Sequence, residues 1–407
     1  MKKKESLAKN SAILFVLTTL GSVLNYGSQL LMGRFFSITN YGIINTIFSL
    51  ILIVSVLGNT SSMLLSKTIA EDLKNAREIS YKILKIVNIS CIVLAIVFCF
   101  MIPILKNIIT NNYIVIVLTI LCLITSIYPI VFQGVLGGLQ KFIKLGMYTL
   151  IIPVTKLLGL IFISFLSLNG EYELYIILSS IILGNILSII IGVILIQKLD
   201  DDEESVDIFS IWKSYKLVLY ANVYLMVLMN IDILYLSTFE SKRITGLYSS
   251  VLMFGKMVYY CVTAIVTVML PMISKNKKDK SYVNNILSNT IIFTIIFSIL
   301  LLIPVNIFGQ FFIKIIYGIK YLEAVKYLKY SSLISVSYSI NLILLNYLVG
   351  VNKIEFIKNT MLIGILVLML LLLIFRNITY ISLLLIFIVN LIIFVLNVFY
   401  IIKQEIM

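Results

Sequence analysis

Lys156, Asp232 and Lys256 are charged residues set inside long apolar runs. A charge at membrane depth costs at least about 2.5–3.5 kcal/mol on insertion scales, so each needs a chemical reason to be there. Lys156 lies about ten residues into its run, roughly 15 Å at the helical rise, too deep for its stem to reach water easily. Lys256 sits at similar depth, and Asp232 in the outer half of its own run. A lysine ammonium in such a place can neutralise an anionic group on a passing ligand. A buried carboxylate can carry a proton or a cation, or pair with a lysine. Two readings stand. Either Asp232 and Lys256 form an ion pair that locks two neighbouring helices, or Lys156 and Lys256 are the cationic walls of a water-filled cavity.

Polar stripes mark where such a cavity would run. Thr18, Ser22, Asn25 and Gln29 recur at helical spacing in the first run, and Lys256, Tyr260, Thr263 and Thr267 in the eighth. Ser335, Ser339 and Asn346 share a face of the tenth. Small polar stripes also serve as glue between membrane helices, so each stripe has a purely structural reading beside the functional one. Arg34 closes the outer end of the first run, as an interfacial anchor or a ligand contact. Glu323, Lys326 and Lys329 at the mouth of the tenth form a solvated first turn or a rim; Glu323 joins Asp232 as a candidate for ion coupling. The sequence holds no histidine, and no P-loop, metal-ligand spacing or dinucleotide glycine pattern is present. No catalytic constellation, cofactor or metal is expected, and the protein is not expected to be an enzyme.

The elements that must position these residues are membrane helices. The chain has 407 residues, 61% hydrophobic and 12% charged, with a mean hydropathy of +1.10. A crossing needs about 20 apolar residues, and about twelve such runs follow one another, leaving no room for a soluble domain. They lie at 11–33, 42–66, 81–105, 112–137, 146–168, 173–197, 213–238, 244–272, 284–306, 321–349, 355–375 and 378–402. The expected architecture is all-α: two six-helix lobes around a central cavity. Residues 1–197 form the first lobe, 198–212 an acidic linker containing Asp200 to Glu204, and 213–407 the second. Lysine and arginine number 21 on the side of the termini against 9 opposite. The positive-inside rule therefore places both termini in the cytoplasm. That pattern also accounts for the net charge of +14 without nucleic acid. Cys91, Cys99, Cys122 and Cys261 all fall inside apolar runs and read as small buried hydrophobes.

Short echoes link the halves. Gly42 to Asn45 matches Gly246 to Ser249, Met63 to Lys67 matches Pro271 to Lys275, and Gly138 to Phe142 matches Gly350 to Ile354. Both halves start on the same side, so they read as parallel repeats, an arrangement in which transporters bind substrate near the repeat interface.

The stretch Met32-Gly33-Arg34-Phe35-Phe36-Ser37-Ile38-Thr39-Asn40-Tyr41-Gly42-Ile43 resembles the junction between the first two helices of Wzx-type oligosaccharide flippases. These belong to the multidrug/oligosaccharidyl-lipid/polysaccharide exporter superfamily. Gln133 to Phe142 resembles that family's turn between the fourth and fifth helices. Asp232-Ile233-Leu234-Tyr235, Thr245-Gly246-Leu247-Tyr248 and Leu270 to Lys275 are similar to its seventh and eighth. The resemblance spans essentially the whole chain. It implies alternating access, a proton or sodium gradient as driving force, and an isoprenoid diphosphate-linked oligosaccharide as cargo. That cargo would move from the inner to the outer leaflet of the cytoplasmic membrane for surface polysaccharide such as O-antigen or capsule. Lys156, Lys256 and Arg34 would meet the diphosphate, with Asn25, Gln29, Tyr260, Thr263 and Ser339 lining the path. Membrane lipid, and polymerase or glycosyltransferase neighbours, are the expected partners of a monomer. Rival readings are a small-molecule or multidrug antiporter of the same superfamily, a lipid-linked peptidoglycan-precursor flippase, and a polysaccharide polymerase. The polymerase would need a long outer loop that the sequence lacks.

Overall fold

The computed structural model describes residues 2–166, 168, 170–199, 208–276, 279–351, 354–376 and 378–406. Asp200 to Glu204 lie outside the described residues. Helix fills nearly all of the rest, and twelve rods occupy the twelve apolar runs. The first is α1 (Lys2–Phe35). The second is α2 (Ile38–Val54) followed by α3 (Val56–Glu71), and the third is α4 (Ala76–Phe100) with a short α5 (Ile102–Ile108). The fourth is α6 (Tyr113–Thr125) and α7 (Ile127–Gly138), the fifth α8 (Phe142–Thr149) and α9 (Ile151–Phe165), the sixth α10 (Glu171–Gln197). In the second half come α11 (Ile208–Phe239), α12 (Lys242–Asn276), α13 (Lys280–Ile307) and the short α14 (Gly309–Ile316). A 3₁₀ turn at Ile319–Tyr327 leads into α15 (Leu328–Gly350), then α16 (Ile354–Ile374) and α17 (Thr379–Ile406). Among the described residues, ten stretches are long and apolar enough to cross a membrane. The eighth and eleventh rods fall outside that count.

The second and fourth rods break where serine competes for the backbone. Ser55 Oγ donates to the Leu52 carbonyl at 2.7 Å between α2 and α3. Ser126 Oγ donates to the Leu123 carbonyl at 2.9 Å between α6 and α7. Such back-bonding bends a helix without ending the crossing. Clear stops carry capping side chains instead. Asn112 Oδ1 accepts from the Ile114 amide at 2.9 Å at the start of α6. Asp279 caps α13, and the Tyr282 amide and Ser281 hydroxyl hold its carboxyl below the usual range.

The chain divides into two compact units, Met1–Leu219 and Tyr220–Met407. The same partners recur inside each. In the first, the second rod packs on the fourth through α3 and α7; in the second, the eighth packs on the tenth through α12 and α15. The fifth and sixth rods pair as α9 and α10, the eleventh and twelfth as α16 and α17. Both central crossings depend on missing side chains. A Cβ on Gly134 would stand 2.5 Å from the Ser62 backbone, and one on Gly138 would stand 2.9 Å from the Leu65 carbonyl. Ser66 Oγ donates to the Gly134 carbonyl at 3.1 Å across this seam. At the corresponding crossing of the second unit, a Cβ on Gly255 would meet Ser335 and the Ser331 carbonyl of α15. Small residues let membrane helices approach backbone to backbone, where dispersion replaces the absent hydrophobic effect.

Candidate functional site

In the first unit α9 buries Lys156, which is 3% exposed. Its Nζ donates to Asn25 Oδ1 of α1 at 2.8 Å and lies 4.7 Å from the Phe48 ring centroid on α2. A charge-assisted hydrogen bond and a cation–π contact offset part of the burial cost. The expected wall lysine is thus turned inward, joining three helices, and the polar group presented on α1 is the exposed Asn25. One turn on, Gln29 is half-buried and its Oε1 has no hydrogen-bond partner. Thr18 and Ser22 satisfy their hydroxyls on carbonyls of their own helix at 2.8 and 3.0 Å. Arg34 is exposed in the last turn of α1.

In the second unit Asp232 is fully buried. Its Oδ2 accepts from the Tyr248 hydroxyl at 2.7 Å and its Oδ1 from the Ile233 amide at 2.9 Å. The alternative reading, an Asp232–Lys256 ion pair, does not form: among the described residues no Lys256 nitrogen lies within 4 Å of an Asp232 oxygen. Tyr248 and Lys256 stand two turns apart on α12, about 12 Å along the axis. The carboxylate goes to the phenol because a fully buried hydroxyl demands an acceptor. Lys256 stays half-buried with no hydrogen bond among the described residues. Beyond it the face opens: Tyr260 is 51% exposed, and Thr263 bonds to the Tyr260 carbonyl at 2.7 Å. Ser339 does not join this face. It is buried in α15 and donates to the Ser335 carbonyl at 2.9 Å.

Glu323 is spoken for as well. Both of its oxygens accept from Arg243, each at 2.8 Å, in an ion pair with both side chains about half exposed. The solvated first turn expected at this mouth is therefore clamped to the start of α12. Sequence reasoning missed a second buried carboxylate, Glu173, 2% exposed at the start of α10. Asn40 Nδ2 donates to it at 2.6 Å and to the Gly170 carbonyl at 2.7 Å. Its signal was an acidic residue in a helix's first turn, where the macrodipole favours it.

The arrangement offers one half-buried cation without a counter-charge in contact, flanked by an exposed phenol, in the second unit. In the first unit it offers polar groups on α1. Among the described residues no three His, Cys, Asp or Glu gather at metal-binding distance. Residues 31–326 match the family described as polysaccharide biosynthesis protein. The chain belongs to that family. No curated protein matches it. Among solved structures, the lipid II flippase MurJ in an inward closed conformation aligns with a TM-score of 0.74 at 16% identity, over 96% of this chain and 87% of that one. An inward-facing multidrug resistance MATE transporter of the MOP superfamily aligns at 0.70 and 12% identity, over 93% of each chain. A MOP-superfamily transporter from Pyrococcus furiosus aligns at 0.64 and 12% identity, over 97% and 93%. At these identities the likeness is one of fold: an all-helical membrane protein with the two-lobe, twelve-helix architecture of those structures.

Proposed function

We propose that this protein flips isoprenoid diphosphate-linked oligosaccharides from the inner to the outer leaflet of the cytoplasmic membrane by alternating access. The observation that carries the reading is membership of a polysaccharide-biosynthesis family by a chain with a flippase fold. A diphosphate carries about two negative charges and cannot cross hydrocarbon unaided, because an uncompensated charge there costs several kcal/mol. Lys256 supplies the compensating charge, with Tyr260 and Thr263 offering hydrogen bonds to sugar or phosphate. Arg34 meets the diphosphate near the rim. In the first unit Asn25 and Gln29 are the polar groups proposed to meet the cargo, and Lys156 acts one step back by orienting Asn25. Asp232, held by Tyr248, is the group proposed to couple turnover to a proton or sodium gradient. The protein works as a monomer, carrying the product of glycosyltransferases toward a polymerase.

Cells lacking the protein should accumulate the lipid-linked unit on the cytoplasmic leaflet. Purified protein in liposomes should speed its exchange between leaflets without glycosyl transfer or hydrolysis. Unpolymerised single units on the outer leaflet would instead identify a polymerase. The second reading, a small-molecule antiporter, draws on the MATE-like fold and the buried Asp232. It requires dye or cation efflux from the same liposomes with no effect on glycan. The orientation has its own check. With Lys74→Cys and Asn111→Cys, both exposed loop positions, a membrane-impermeant thiol reagent on intact cells should label position 111 only. The reverse pattern would invert the topology.

A further inference from the structure

The second unit carries a groove that the transport reading leaves unused. α15 forms its floor, with α13 and α17 packed to either side. The cavity measures about 500 Å³ and is lined by Ile299, Ile303, Leu333, Val336, Ile340 and Phe387, among others. At one end it runs into a second cavity of about 440 Å³, lined by Lys326, Lys329, Tyr330 and Tyr380; Asn306 and Lys329 line both. An apolar trough thus ends in a basic, aromatic mouth. We propose that it holds one acyl chain of an anionic glycerophospholipid whose phosphate rests on Lys326 and Lys329.

Charge complementarity selects this occupant. Both lysines are exposed, and among the described residues neither forms an ion pair. Their ammonium groups are steadied 5.1 Å from the Tyr327 ring and 5.2 Å from the Tyr330 ring. The nearest carboxylates are occupied: Glu323 by Arg243 and Glu240 by the Thr379 hydroxyl. No acidic residue lines either cavity, so the mouth presents positive charge, which favours an anionic headgroup over one without net charge. Tyr380 packs at 5.8 Å on Tyr327 and at 5.5 Å on Tyr330, the kind of aromatic cluster that sits at headgroup level. The trough's volume of about 500 Å³ is of the size of a single acyl chain.

The test uses purified full-length protein in phosphatidylcholine nanodiscs, doped with phosphatidylglycerol carrying a photoreactive group on one acyl chain. Labelled peptides should come from residues 295–307 and 329–340. The Lys326→Glu/Lys329→Glu double variant should lower labelling at least about tenfold, since each lysine near a membrane surface contributes on the order of 1 kcal/mol. Leu333→Trp, which fills the trough and keeps both lysines, should lower it as well. Equal labelling by the phosphatidylcholine analogue would mean annular lipid only and would overturn the proposal. So would unchanged labelling of both variants, or displacement by an equimolar isoprenyl phosphate. None of these outcomes bears on transport, which is measured separately.

Discussion

Gly134→Val should remove most of the protein from the membrane fraction. The added Cβ would meet Ser62 Cα and its carbonyl oxygen at 2.5 Å, and backbone atoms cannot turn aside as a side-chain tip can. α3 and α7 would have to part, losing the Ser66–Gly134 hydrogen bond and the contact at Gly138 one turn on. Overpacking of this kind costs typically about 1–3 kcal/mol, a large share of a membrane protein's margin. Gly27→Val is the matched control, because nothing lies within 4 Å of the Cβ it would add. Immunoblots of membrane fractions and fluorescence-detected size exclusion read both. Equal amounts of the two variants would show that the seam tolerates separation.

Lys256→Ala should leave abundance near wild type and lower glycan export at least about tenfold, the loss expected for one charge-assisted contact. Its removal strands no partner, because Asp232 keeps Tyr248 and the Ile233 amide. A structural ion pair predicts the opposite: Lys256→Ala would deplete the protein and a second change, Asp232→Asn, would restore it. Lys156→Ala separates the two lysines' roles, since it frees Asn25 and should cost abundance as well as export. Full export by Lys256→Ala would end the proposal that this side chain meets the diphosphate.

The helices were legible because each run is both long and apolar, which leaves the backbone no other way to satisfy its hydrogen bonds in lipid. The kinks at Ser55 and Ser126 were not, since serine occurs throughout these runs and back-bonds without bending in most. The depth of Lys156 could be read from its position in the run. Its partner Asn25 is 131 residues away, and nothing in a single sequence names such a pair. Asp232 illustrates the limit most clearly. Charge alone pointed to Lys256, yet the hydrogen bond went to Tyr248, a residue that enters a sequence argument as merely aromatic. Glu323 was read with the lysines beside it in the chain, while Arg243, 80 positions earlier, holds it. Glu173 escaped notice because it sits at the first position of its run, where an acid looks like a boundary.

The self-contained packing of Met1–Leu219 also bears on how the chain is made. Every partner of the α3–α7 seam has been synthesised before α12 begins. At a translation rate of about 5–20 residues per second, the first unit has roughly 10–40 s before α17 is complete. Its glycine seam can close in that interval.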